Sequence, residues 1–160
     1  MATEHKNLSE FDPAQLPDAS QMRFGLVVSE WNSEITENLF EGARDTLLAC
    51  GVPPAHITRW NVPGSFELPF GCRKLIKHIP QHAVIAIGSV IRGETRHFDF
   101  VCEAVAQGVK DLNVQGNTPV IFCVLTDDTL EQARARSGGR LGNKGTEAAV
   151  AAIKMASLGH

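Results

Sequence analysis

The chain has 160 residues, enough for one domain with a sizeable core, and is 43% hydrophobic and 21% charged. Fifteen basic against 18 acidic side chains leave a formal charge of −3, which offers no basic footprint to a nucleic-acid backbone. No apolar run approaches the ~18 residues of a membrane span, and residues 1–21 lack the basic-then-apolar pattern of a secretory leader. Neither nucleic acid nor membrane is an expected partner. The four cysteines, at 50, 72, 102 and 123, stand among apolar residues at spacings that suit neither a metal site nor a redox motif. They are expected to be buried, reduced thiols of a cytoplasmic protein. His78 and His82 are four apart, but Pro80 between them breaks the helix a zinc pair would need. No metal site is expected.

In chain order, residues 1–21 are polar, contain Pro13 and Pro17, hold Glu4, Glu10, Asp12 and Asp18 against Lys6, and show no sustained period. They read as a surface arm before a single domain over 22–160. Phe24-Gly25-Leu26-Val27-Val28 is apolar on both faces, as a strand buried in a parallel sheet should be. Asn32 and Ser33 offer caps for a helix whose apolar face is Ile35, Leu39, Ala43, Leu47 and Cys50, stopped by Gly51 and Pro53. A second strand over 57–62 ends at Pro63-Gly64. Ser65 is expected to cap a helix over 66–78 that tolerates Pro69 only in its first turn.

Residues 83–91 form the third and most apolar strand. The next helix carries a stripe of Val101, Ala104, Val105, Gly108, Val109 and Leu112. A fourth strand spans 119–126. Thr126 or Asp127 would cap a helix to about Ser137, Gly138-Gly139 breaks it, and an alanine-rich helix begins near Asn143 or Thr146. Strands alternating with helices predict β-α-β units, hence a three-layer α/β/α sandwich around a four-stranded parallel sheet. Ligands of such folds bind beyond the carboxyl ends of the strands.

Four strand-end segments therefore carry the chemistry. Trp31 is either a stacking platform for a flat heterocycle or a lid over the sheet end. Phe66 and Glu67 place an aromatic beside a helix-start carboxylate, which suits ligand hydroxyls and is equally common for structural reasons. The segment Gly88–Asp99 runs strand, glycine, polar turn, helix, a pattern that exposes backbone N–H groups to an anion. Thr95 adds a hydroxyl there. His97 suits proton transfer, or a helix-start hydrogen bond. The stretch Arg134 to Gly145 is cationic and glycine-spaced, either a phosphate grip or a solvated face. Neither Gly-Lys-Ser/Thr nor Gly-x-Gly-x-x-Gly occurs. The list suits a planar polyhydroxylated ligand and a small phosphate reacting by proton transfers.

Three of these segments, Val62-Pro63-Gly64-Ser65-Phe66-Glu67, Gly88–Asp99 and Gly142-Asn143-Lys144-Gly145, resemble the signature segments of the lumazine synthase family. The resemblance runs from about Arg23 to Leu158. It implies a flavodoxin-like fold and a transferase of riboflavin biosynthesis, with neither cofactor nor metal. The implied reaction condenses 5-amino-6-(D-ribitylamino)uracil with 3,4-dihydroxy-2-butanone 4-phosphate. By motif, His97 matches the proton-transfer histidine, Glu94 and Thr95 the loop holding the butanone phosphate, and Arg136 its phosphate-binding arginine. Trp31 matches the aromatic that stacks on the pyrimidine. Ser65, Phe66 and Glu67, with Ser89, Val90 and Ile91, match the segments lining the ribityl chain and the ring. Phe122 and Arg136 would come from a neighbouring subunit.

The chain departs from the family pattern in carrying Trp31 where many relatives have Phe, and Ser89 where Thr is common. A homopentamer is implied, with a sixty-subunit icosahedral shell as the expected final state because no insertion lengthens the turn 137–143. Association with a riboflavin synthase stays open. Two other readings of the same residues are a flavin-binding protein without turnover and a phosphosugar lyase using Lys144 as a Schiff-base lysine.

Overall fold

The computed structural model describes residues 7–158; the first six residues of the arm lie outside the described residues. Four parallel strands, β1 (Phe24–Ser29), β2 (Ile57–Val62), β3 (Ala83–Ile91) and β4 (Val120–Asp127), form a sheet in the order β2-β1-β3-β4. The helices between and after them are α1 (Ser33–Ala49), α2 (Leu68–His78), α3 (His97–Gln115), α4 (Leu130–Arg136) and α5 (Lys144–Ala156).

All six residues of β1 are buried, because the two-residue period of the strand sends alternate side chains into two separate cores. Phe24, Leu26 and Val28 join Ile85 and Ile87 of β3 beneath α1 and α5, whose Leu39, Leu47 and Ile153 are fully enclosed. On the opposite face Val27, Val84, Ala86 and Val124 meet Leu68, Cys72 and Leu75 of α2 and Val105 and Val109 of α3. Each large aliphatic side chain removed from water in this way contributes about 1.5–3 kcal/mol. The three-layer sandwich and the bounds of β3 agree with the sequence. Burial pushes the thiols of Cys72 and Cys123 up to about 12, so neither is a thiolate at neutral pH.

Several caps differ from expectation. Asn32 does precede α1, but in the left-handed region (φ 56°), where it makes no side-chain cap. Ser65 does not cap α2: it opens a 3-10 turn over Ser65–Glu67, and Glu67 occupies the position before the helix. Pro69 sits in the first turn of α2 as required. Thr126 and Asp127 remain in β4. The cap of α4 is Thr129, whose hydroxyl accepts from Gln132 N while the Gln132 side chain accepts from the Thr129 N–H, a reciprocal capping box. On α3, Val105 and Val109 are buried while Val101 and Leu112 are half-buried against the same core.

The turn before α5 is more ordered than a glycine-rich loop. Its short strands β5 (Ser137–Gly139) and β6 (Gly142–Asn143) pair antiparallel. Gly142 has a φ of +82°, and a side chain there would strike the backbone of Leu8 and Ser9. That close approach lets Leu8 N–H donate to the Leu141 carbonyl at 2.9 Å, with the Leu8 side chain buried. Asn143 caps α5 through Oδ1, which accepts from Gly145 N at 2.8 Å, and its Nδ2 donates to the Asn38 carbonyl of α1 at 2.9 Å. Gly145 lies against the Leu39 carbonyl, leaving no room for a methyl group. Gly145→Ala is therefore expected to cost about 1–3 kcal/mol, read as a lower urea midpoint, because α1 and α5 must separate. Gly93→Ala, which meets nothing within 4 Å, should leave the midpoint unchanged.

Candidate functional site

The chain passes from β1 to β2 on one side of the sheet and then crosses to β3 on the other, so the direction of winding reverses between β1 and β3. The crevice at their carboxyl ends is held by backbone and amide hydrogen bonds. Glu30 N–H and Trp31 N–H donate to the carbonyls of Val62 and Pro63 at 2.8 and 3.1 Å, laying the first and second loops side by side. The Asn32 side-chain amide donates to the Ser89 carbonyl at 2.9 Å, joining the first loop to β3. Its left-handed backbone is what turns that amide toward β3 rather than into the helix. Backbone strain of this kind concentrates at functional sites.

The result is a cavity of about 380 Å³. It brings together Trp31, Ser65, Phe66, Glu67, Ser89, Val90, Ile91, Thr95 and His97 from the sequence prediction. Trp31 and Phe66 are 71% and 61% exposed, so neither ring is core and Trp31 does not seal the sheet end. Ser65 and Ser89 are almost fully buried, and neither hydroxyl has a hydrogen-bond partner among the described residues. Ser65 sits close over β3 because Gly88 carries no side chain: a Cβ there would lie 2.5 Å from Ser65 Oγ. Buried unpartnered hydroxyls are uncommon, and their occurrence on residues that line a cavity suits a polar ligand.

At the rim, His97 is the first residue of α3 and exposed; its N–H donates to Thr95 Oγ1 at 3.3 Å. The loop before it is fastened by Arg92. The Arg92 N–H donates to the Asp127 carbonyl at 2.9 Å, Nε donates to Asp128 Oδ1 at 2.7 Å, and Nη1 donates to Asp99 Oδ1 at 3.3 Å. The hydrogen bond to Asp128 holds the Arg92 guanidinium above its ordinary pKa, and the group lies 4.3 Å from the centre of the Phe98 ring. Phe98 and Val101 also line the cavity, as do Gly64 and Gly93. Phe98 stood inside the segment Gly88–Asp99 without a role, and Val101 was read only as part of the α3 stripe.

Three predicted residues lie outside this cavity: Glu94, Phe122 and Arg136. Glu94 is exposed on the third loop, and Phe122 is 37% exposed on β4. Arg136 ends α4, with Nη1 3.3 Å from Asp127 Oδ1. The rest of the cationic stretch is structural in part: Arg134 pairs with Glu34 of α1 through two hydrogen bonds, and Lys144 pairs with Glu147. Among the described residues no group of three or more His, Cys, Asp or Glu side chains is placed to hold a metal, and no helix is long and apolar enough to cross a membrane.

Comparison with known proteins agrees with this geometry. A family model described as 6,7-dimethyl-8-ribityllumazine synthase matches residues 21–160. The 6,7-dimethyl-8-ribityllumazine synthase of Christiangramia forsetii is 62% identical over 159 residues, covering 99% of this chain and 95% of the relative. The protein of that name from Flavobacterium johnsoniae is 63% identical, covering 99% and 83%. The one from Parabacteroides distasonis is 54% identical, covering 99% of each. With the family model spanning the four-stranded sheet and α1 to α5, the chain belongs to the 6,7-dimethyl-8-ribityllumazine synthase family.

Proposed function

We propose that the chain is a transferase of riboflavin biosynthesis that condenses 5-amino-6-(D-ribitylamino)uracil with 3,4-dihydroxy-2-butanone 4-phosphate to 6,7-dimethyl-8-ribityllumazine. The observation that carries the site assignment is one cavity lined by two exposed aromatic rings and by two buried serines whose hydroxyls have no partner among the described residues. Trp31 stacks on the pyrimidine, Phe66 borders it, and Ser65, Glu67, Ser89, Val90 and Ile91 receive the ribityl hydroxyls and the ring edge. Glu94 and Thr95 belong to the loop that receives the butanone phosphate, and Arg136 of an adjacent subunit clamps it with Phe122 beside the ring.

The nucleophile is the substrate's own amine. It attacks the ketone, water leaves as the imine forms, phosphate is eliminated, and ring closure releases a further water. Holding amine against ketone supplies much of the acceleration, up to ~7–11 kcal/mol in favourable cases. His97 at the rim moves protons during these steps. The reaction calls for neither cofactor nor metal, and no lysine is needed. Lys144, the residue a Schiff-base lyase would use, is paired with Glu147 at the start of α5 and does not line the cavity.

Self-association completes the site in this reading, since Arg136 and Phe122 do not reach the cavity of their own chain. Phe70, Phe100 and Val114 on α2 and α3 are each more than 60% exposed, apolar surface of the kind that association covers. A pentamer is the minimum unit. The tight β5–β6 turn leaves a sixty-subunit shell unobstructed, and the chain divides into an arm, residues 1–21, and one domain, residues 22–160, against which Leu8 and Ala19 of the arm are buried. The location is cytoplasmic. The product feeds a riboflavin synthase, whose physical association with the assembly is a separate question.

Three outcomes are expected. His97→Ala folds, since the side chain is exposed, and slows turnover by ~10²-fold in a lumazine fluorescence assay. Wild-type turnover would remove the proton-transfer role. Arg136→Ala raises KM for the butanone phosphate far more than KM for the pyrimidine, and Lys rescues only partly because it lacks the fork. Equal losses would contradict the phosphate role. Light scattering should give a particle of at least five 17.3 kDa chains; a fully active monomer would overturn the shared site.

A further inference from the structure

Asp127 is the last residue of β4 and is buried, only 2% exposed. Its backbone carbonyl has a use, accepting from Arg92 N–H, but among the described residues its carboxylate has a single hydrogen-bond partner. Oδ1 lies 3.3 Å from Arg136 Nη1, and Oδ2 is buried with no partner. Burial pushes the Asp127 carboxyl above the ordinary aspartate range, Arg136 opposes that shift, and the adjacent Asp128 adds to it. Arg92, the other nearby cation, is already held by Asp128 and Asp99. A carboxylate buried against one half-exposed arginine seldom stabilises a fold more than an apolar side chain of the same size, so its presence calls for another reason.

The geometry of Arg136 supplies one. Its side chain is 35% exposed, and Asp127 takes one corner of the guanidinium. The remaining N–H donors of the planar fork are open to an anion that approaches from outside the subunit. Arg136 is also the final residue of a seven-residue helix, and among the described residues Asp127 is the one hydrogen-bond partner of its side chain. We propose that Asp127 is a positioning residue for Arg136: its buried carboxylate anchors one corner of the guanidinium and so presents the other N–H groups to the butanone phosphate. This rests on the reading of Arg136 as the phosphate-binding arginine. Charge alone would argue the reverse, since a carboxylate behind the arginine repels a phosphate. The anchoring wins because an arginine immobilised in advance loses less side-chain freedom when the anion arrives, an advantage of about threefold to tenfold in affinity.

Steady-state kinetics of the full chain with both substrates test it. Asp127→Asn keeps the shape and removes the charge. It should raise KM for the butanone phosphate threefold to tenfold, with kcat and the pyrimidine KM near wild type. Asp127→Glu keeps the charge but displaces it by a methylene and should shift the same KM in the same direction, so the test survives if the asparagine variant fails to fold. The double variant Asp127→Asn with Arg136→Ala should match Arg136→Ala alone, because no guanidinium remains to be positioned. A butanone phosphate KM that is unchanged or lowered in Asp127→Asn, while Arg136→Ala raises it, overturns the positioning role only. An inert Arg136→Ala overturns the phosphate role and the positioning role together. Losses in Asp127→Asn that fall equally on both substrates reveal a structural residue and also overturn the proposal.

Discussion

β1 and β3 run side by side through the middle of the sheet with helices over both faces, so the polar backbone at their carboxyl ends is what they offer to solvent. Every feature of the cavity follows from that placement. The reversal of winding opens a crevice between the two strands, and the Asn32 amide on the Ser89 carbonyl fixes its width. Gly88 then lets the turn at Ser65 descend onto β3, where a side chain at 88 would strike the Ser65 hydroxyl. A β-branched residue at 88 or 32 would disturb the same few ångströms by different routes, one by filling the space and one by refusing the left-handed backbone.

The sheet and its helices were legible because their apolar periods are long and unbroken. β3 matched residue for residue, and both cores could be counted from alternation in Phe24–Val28. The caps were harder. Ser65, Thr126 and Asp127 look like helix starters because a short polar side chain after a strand serves equally well as a cap or as part of a site. Ser65 leaves its hydroxyl to the cavity, Asp127 gives its carboxylate to Arg136, and the capping of α4 falls to Thr129 further along. No local pattern distinguishes these uses; tertiary neighbours do.

The site was legible as a set of strand-end segments rather than as individual contacts. Nine of the predicted residues meet in one cavity, while Glu94, Phe122 and Arg136 stand apart from it. Phe98 illustrates what the sequence hides. Its ring lines the cavity on one side and carries the Arg92 guanidinium on another, a double duty that only the fold of the third loop creates. The Gly142–Gly145 segment shows the converse. It carries the family resemblance, yet its glycines and Asn143 serve the arm contact, the α5 cap and the α1–α5 approach.

The chain contains no tyrosine and two tryptophans. Trp60 is half-buried against the core beneath α2, whereas Trp31 projects from the cavity mouth with 71% of its surface in water. The near-ultraviolet emission of the molecule therefore divides between one shielded indole and one standing where a flat heterocycle would settle. On the proposed reading, a ligand settling on Trp31 would change the emission of that indole more than that of Trp60, with no dye to attach.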